Sequence, residues 1–475
     1  MVEKKQRADL TVGGIFFKLI QFVLPIIATN LLQMLYNAAD MMVVSLSSAE
    51  NAVGAIGTTT SFTHLIVNLF IGFSVGVNVA VARCIGAKNE ERTQRVVHTA
   101  LLLALLTGVA GGVVGIAVAR PILVLMGNTG SLLTLAVRYT CIYFAGVPFL
   151  SLTNYLIAIF RAKGDSKTPL LVLSVAGIMN VVLNLFFVLA LGFSVEGVAL
   201  ATAIANVFSF VVLLIKLRKD KDYTTFSWQK LKMDRSALRE IVTIGLPAGI
   251  QSALFSLSNM LIQSSIVSVN NTLSPVGDYQ PITNGNAAAA NIEGFVYTAM
   301  NAVSHGMITF TGQNMGANKP ERVKPIMYNG FLLTTLVGVL MSGLAILLKN
   351  PLLGLYGIVE GTEGSLEALA MQAATVRIWI IVSPYFLAGL MEVTIGVLRG
   401  LGKSLVATVI SLIGVCFLRV IWLLTVFPFF KNLESIFICY PVTWLLSTVA
   451  SLFVILIFMR KKLGEKKCLD KTEIE

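Results

Sequence analysis

The chain has 475 residues, 56% of them apolar and only 13% charged, about half the charged share of an ordinary soluble protein. Such a composition excludes a soluble enzyme or binding domain and points to a polytopic membrane protein. A formal net charge of +12 would suit a nucleic-acid partner, but its placement along the chain argues against one.

Apolar runs long enough to cross a bilayer recur from end to end. They predict twelve helices, at 15–44, 52–81, 94–119, 133–159, 168–191, 196–216, 239–268, 284–313, 326–348, 369–397, 405–428 and 436–459. The first run is longer than a signal-peptide core, so no cleavable leader is expected. The N-terminus, the even-to-odd loops and the C-terminal tail hold thirty of the 36 basic residues. The other six are Arg120, Arg138, Lys349, Arg377, Arg419 and Lys431. This is the positive-inside pattern, with both termini cytoplasmic. The basicity is thus a topology signal, and no nucleic-acid partner is expected. Five scattered cysteines, Cys468 among them, and three dispersed histidines have no metal-ligand spacing. His64 and His305, in apolar helices, read as structural.

The chain repeats itself. GAKNEERTQRV from residue 86 returns as GANKPERVKPI from residue 316, and RPILVLMG returns as NPLLGLYG. Fourteen of 42 positions are identical across 86–127 at this offset of 230. Further on, FRAKGDSK (160–167) matches LRGLGKSL (398–405) at an offset of 238. Six helices per half return the chain to the same side, so the repeats are parallel, as in transporters that bind substrate in a central cavity between two halves. The predicted organisation is an all-α N-terminal lobe over 1–215, a basic cytoplasmic linker over 216–239, a second six-helix lobe over 240–460 and a basic tail over 461–475. Trp228, Leu231 and Met233 suit either a membrane-surface or a solvated linker.

Three acids fall clearly inside the predicted helices, away from their ends: Asp40, Glu293 and Glu392. A carboxylate at mid-membrane costs roughly 2.5–3.5 kcal/mol, and its default reading is a functional site. Asp40 lies about 22 Å along the first helix from Pro25, at 1.5 Å per residue. Asn30, Gln33, Asn37 and Asp40 share its helical face, and Gln33 and Asn37 are candidate substrate contacts. At a similar depth lie Tyr139 of the fourth helix, Asn180 and Asn184 of the fifth, and Thr202 of the sixth. Burial favours the protonated acid and a bound cation favours the carboxylate, so protonation competes with cation binding at Asp40. The neutral oxygens of Asn180, Asn184 and Thr202 suit Na+ or a protonated acid equally. Glu293, in AAAANIEGFVYTAM, lies among small residues and is a candidate counter-charge for a cationic substrate. Glu392, seven residues before Arg399, is either a substrate contact or the partner of a basic residue. No phosphate-cradling loop and no nucleophile–base arrangement is present. No enzymatic activity and no cofactor are therefore expected.

Taken together, the paired six-helix halves, the duplicated GAKNEER/GANKPER segments, the RAKGDSK and LRGLGKS turns, and Pro25 followed by Asp40 resemble the multidrug and toxic compound extrusion (MATE) transporters. The resemblance spans essentially the whole chain. It implies proton- or sodium-coupled export of cationic, amphipathic compounds by alternating access, by a monomer in a bacterial cytoplasmic membrane. It also implies that Asp40 works with Tyr139, Asn180, Asn184 and Thr202. Some members have an aspartate in place of Asn184. The second lobe departs from the pattern: its first helix has no acid, and Ala388 stands where many members carry one. Glu293 resembles a helix-eight glutamate of bacterial multidrug exporters. A flippase for lipid-linked oligosaccharide or peptidoglycan precursors, from the same superfamily, is the alternative. Several cavity arginines would be expected of it, and here the mid-helix basic residues are few, chiefly Arg419. A channel fits paired repeats with one titratable site less well than a carrier does.

Overall fold

The computed structural model describes residues 9–45, 52–220, 222–273, 280–362 and 365–472. The side chains of His64 and Cys468 lie outside the described set. Twelve membrane helices follow in order. They are α1 (Ile15–Ser45), α2 (Ala52–Gly86), α3 (Glu90–Leu125), α4 (Gly130–Ala162), α5 (Lys167–Ala190) and α6 (Val195–Lys219), then α7 (Arg235–Leu273), α8 (Pro281–Gly316) and α9 (Pro320–Leu347). Helix α10 runs over Leu366–Val382 and, after a 45° bend, Phe386–Gly400; α11 (Ser404–Phe430) and α12 (Leu433–Lys466) complete the set.

Nine of these are apolar and long enough to cross a bilayer, and α10 makes a tenth if its bent halves count as one span. Helices α7 and α8 have the length, at 39 and 36 residues. Gln251, Asn259, Gln263 and Asn270 dilute the apolar run of α7, and Asn284, Asn286, Asn291 and Asn301 that of α8. Several helices outrun their predicted ends because periodicity reports only the lipid-facing stretch. α3 starts at Glu90 rather than 94, where the Asn89 side chain caps it by accepting from the Arg92 N–H at 2.9 Å.

The internal repeat is visible in the backbone. Lys88 and Asn318, 230 residues apart, are left-handed at φ 53° and 54°. Gly164 and Gly402, paired at the second offset, sit at φ 83° and 70°, a conformation open mainly to glycine.

The described residues fold as two compact units. The first comprises Met1–Gly13, Leu24–Ser252 and Gly312–Asn318; the second comprises Gly14–Val23, Ala253–Thr311 and Lys319–Glu475. The start of α1 thus counts with the second unit and the start of α7 with the first, where a cut at the linker was expected. The reason is local in the case of α7. Gly72 and Gly76 of α2 face Gly245 and Gly249 of α7, and a Cβ on Gly72 would stand 2.2 Å from the Gly249 nitrogen. Such glycine pairs let helix backbones meet directly.

The linker is folded onto the first unit. Phe226 is buried and stacks on His98 of α3 with ring centroids 5.4 Å apart. The His98 ring nitrogens meet Gln94 O at 2.7 Å and Ser227 O at 3.0 Å, and Asp234 N donates to Thr99 Oγ1 at 2.9 Å. Lys163 pairs with Asp220. Leu231 packs on the core while Trp228 stays exposed.

Candidate functional site

In the first unit, α1, α5 and α6 bring Asp40, Asn180, Asn184 and Thr202 together. Asn184 Nδ2 donates to Asp40 Oδ1 at 2.5 Å. The neighbours of Asn180 fix its amide orientation. With nitrogen toward the acid, Nδ2 lies 2.9 Å from Asp40 Oδ1, and its oxygen lies 3.3 Å from both the N–H and the hydroxyl of Thr202. Two amides, one helical turn apart on α5, thus converge on one carboxylate oxygen, and the Thr202 side chain also faces the acid. Asn180 is 6% exposed and Asn184 not at all.

The consequence is electrostatic. No basic residue pairs with Asp40 among the described residues, so the ionised acid keeps its full charge. One atom is also left over: the buried Asn184 Oδ1 has no hydrogen-bond partner among the described residues, an uncommon state for a buried acceptor.

Tyr139 of α4 lies close enough to feel the charge of Asp40, as does Tyr143. It contributes its ring, stacked on Tyr143 at 6.0 Å and packed against the buried cluster that includes Val43, Val195 and Val198. Sequence reasoning missed Tyr36. Its hydroxyl donates to Ser174 O at 3.1 Å, and its ring occupies the space where a Cβ on Gly177 would stand, 1.7 Å away. Tyr36 precedes Asp40 by one turn and Gly177 precedes Asn180 by nearly one, so this wedge sets the acid against the amides. Gln33 and Asn37, the candidate substrate contacts, are exposed on α1.

Glu293 has different company in the second unit. Arg377 of α10 donates to its Oε2 from Nε at 3.0 Å and from Nη2 at 2.7 Å, and the Tyr385 hydroxyl donates to Oε1 at 3.1 Å. Arg377 Nη1 donates to Asn286 Oδ1 at 2.6 Å, and Asn286 Nδ2 to Gln263 Oε1 at 3.2 Å. Glu293 and Arg377 are 9% and 7% exposed. Glu293, the candidate counter-charge for a cationic substrate, thus already has a guanidinium partner within its own unit. Depth would have revealed the pair. The positive-inside pattern predicts that α8 and α10 start on the same side, and Glu293 and Arg377 each lie about 17 Å along, at 1.5 Å per residue.

Glu392 is buried in the C-terminal half of α10, where Ser304 Oγ of α8 donates to its backbone oxygen at 2.9 Å and its carboxylate lies near Tyr297 and Arg399. Of its two sequence readings, the structure supplies the basic neighbour.

Comparison with known proteins agrees with this architecture. The MatE family model matches residues 25–186 and 247–424. The probable multidrug resistance protein YoeA of Bacillus subtilis is 30% identical over 404 residues, 83% of each chain. The FAD transporter of Shewanella oneidensis is 26% identical over 297 residues, 61% of this chain and 63% of that one. Among solved structures, an outward-facing multidrug resistance MATE family transporter superposes with a TM-score of 0.87 at 19% identity, covering 97% of this chain and 99% of that one.

Proposed function

Since the chain belongs to the MatE family of multidrug transporters, we propose that it is a secondary antiporter of the bacterial cytoplasmic membrane, exporting cationic or amphipathic compounds in exchange for H+ or Na+ taken up at Asp40. The observation that carries this reading is the company Asp40 keeps, which is neutral throughout. A carboxylate held only by amide N–H groups and a threonine can change its charge without breaking an ion pair. Asparagine amides present both a donor and an acceptor. Ionised Asp40 takes the two N–H groups; protonated Asp40, or a hard cation beside it, needs an oxygen, and Asn184 Oδ1 is buried and open to serve.

The site lies in the outer part of α1, so a charge bound there moves through part of the membrane potential during alternating access. One elementary charge crossing 100 mV is worth about 2.3 kcal/mol, roughly fifty-fold accumulation. The Shewanella relative is named a FAD transporter, so metabolites stand beside drugs as substrates for this chain. The test is efflux of a permanent organic cation from proteoliposomes, with proton and sodium gradients imposed separately. Asp40→Asn should reconstitute normally and lose the gradient-driven part of efflux. Efflux equal to wild type in that variant would sink the reading.

A further inference from the structure

The 238-residue offset that lays FRAKGDSK on LRGLGKSL can be followed into the helices on either side. It pairs Tyr139 with Arg377, Val181 with Arg419, and Thr202 with Tyr440. Arg419 therefore lies on α11 at the level where α5 carries Asn180 and Asn184. The earlier offset of 222, which lays VLPIIA on GLPAGI, pairs Asp40 with Ile262. In this half, an apolar residue replaces the acid and arginines replace neutral groups.

The three side chains of the second unit do meet. The Arg419 guanidinium carbon stands 3.9 Å from the centre of the Tyr440 ring, and that of Arg377 stands 5.9 Å from the same ring. Arg419 is only 3% exposed. Its Nε donates to Thr443 Oγ1 at 3.3 Å. Among the described residues no carboxylate pairs with it: Glu293 is held by Arg377, and Glu434 at the start of α12 is exposed. One acid and two guanidiniums leave the cluster a net cation, at a depth where arginine is costly and usually marks a site. Stacking on a ring while Nε is held leaves the two terminal nitrogens as a planar fork. That geometry suits an oxyanion taken by both at once.

We propose that Arg419, backed by Tyr440 and Thr443, is an oxyanion subsite that binds a carboxylate or phosphate group of the transported compound. This rests on the transporter reading. It extends the substrate class from cations to zwitterions and organic anions, with opposite charge preferences in the two halves of the repeat.

The test uses the full-length protein in nanodiscs and a matched pair of probes: rhodamine B, which carries a free carboxylate, and rhodamine B ethyl ester, in which that carboxylate is masked. Binding is followed by fluorescence anisotropy, and the readout is the ratio of the two affinities within each variant. Wild type should favour the acid by about ten-fold, the loss expected for one charge-assisted contact worth about 1.4 kcal/mol. Arg419→Gln should abolish the preference by weakening the acid alone, and Arg419→Lys should keep part of it. No binding of the acid to wild type, no preference for it, or parallel loss of both probes in Arg419→Gln would overturn the proposal. A phospholipid headgroup offers the same oxyanion. If raising the phosphatidylglycerol content displaces rhodamine B from wild type but not from Arg419→Gln, the site belongs to lipid and the substrate proposal falls. Failure here with intact Asp40-dependent efflux of the organic cation would leave the antiport reading standing.

Discussion

Asp40, half-buried, and Glu293, buried, are both carboxylates in membrane helices, and each is bonded by side chains of neighbouring helices in its own unit. Asp40 is met by Asn180, Asn184 and Thr202, all neutral; Glu293 is met by Arg377 and Tyr385. The difference separates two uses of the same functional group. An acid among amides can gain or lose a proton or a cation while its packing stays in place. An acid locked to a guanidinium is a structural tie, because ionisation and pairing each depend on the other.

The sharpest way to break this comparison is to remove each acid in turn. Glu293→Gln leaves Arg377 buried without its counter-charge, and breaking a buried pair on one side costs about 3–5 kcal/mol. Its melting temperature in detergent should fall clearly, and adding Arg377→Met should recover most of the loss. A single variant that melts like wild type would mean that the pair does not hold the second unit together. Asn184→Ala withdraws the closest donor from Asp40 and should cost about 1–3 kcal/mol, visible both in melting and in weakened gradient-driven efflux. Thr202→Val should cost about 0.6 kcal/mol, the typical worth of one interhelical hydrogen bond in a membrane bundle. Its efflux should be reduced rather than lost. Asp40→Asn is the opposite of Glu293→Gln. It removes a half-buried charge with no basic partner among the described residues, so its stability should equal or exceed that of wild type while coupling disappears.

Much of the first site was legible in the sequence. Hydrophobic run length, basic-residue placement and the duplicated turns locate twelve helices, and depth counted along them brings Asn180, Asn184 and Thr202 to the level of Asp40. What stayed hidden were features that depend on rotation about a helix axis or on contacts between distant segments. The Tyr36 wedge over Gly177 is one. The clamp of His98 on the linker at Ser227 is another, since a lone histidine in a helical run carries no mark of its partner. Glu293 was read without its partner, because a run of small residues says nothing of what meets the acid from another helix. Arg377 fills that role, and only its matching depth announced it. The lengths of α7 and α8 were legible, but their many amides lower the apolar signal that identifies the other spans.

The central claim is that coupling resides in the acid with neutral partners and not in the paired one. It is tested most directly by following ion movement itself: dissipation of an imposed proton or sodium gradient in proteoliposomes on addition of an exported cation. Wild type and the Glu293→Gln/Arg377→Met double variant should both dissipate one of the two gradients, and Asp40→Asn should dissipate neither. Substrate-dependent dissipation that survives Asp40→Asn, or that vanishes in the folded double variant, would contradict the account.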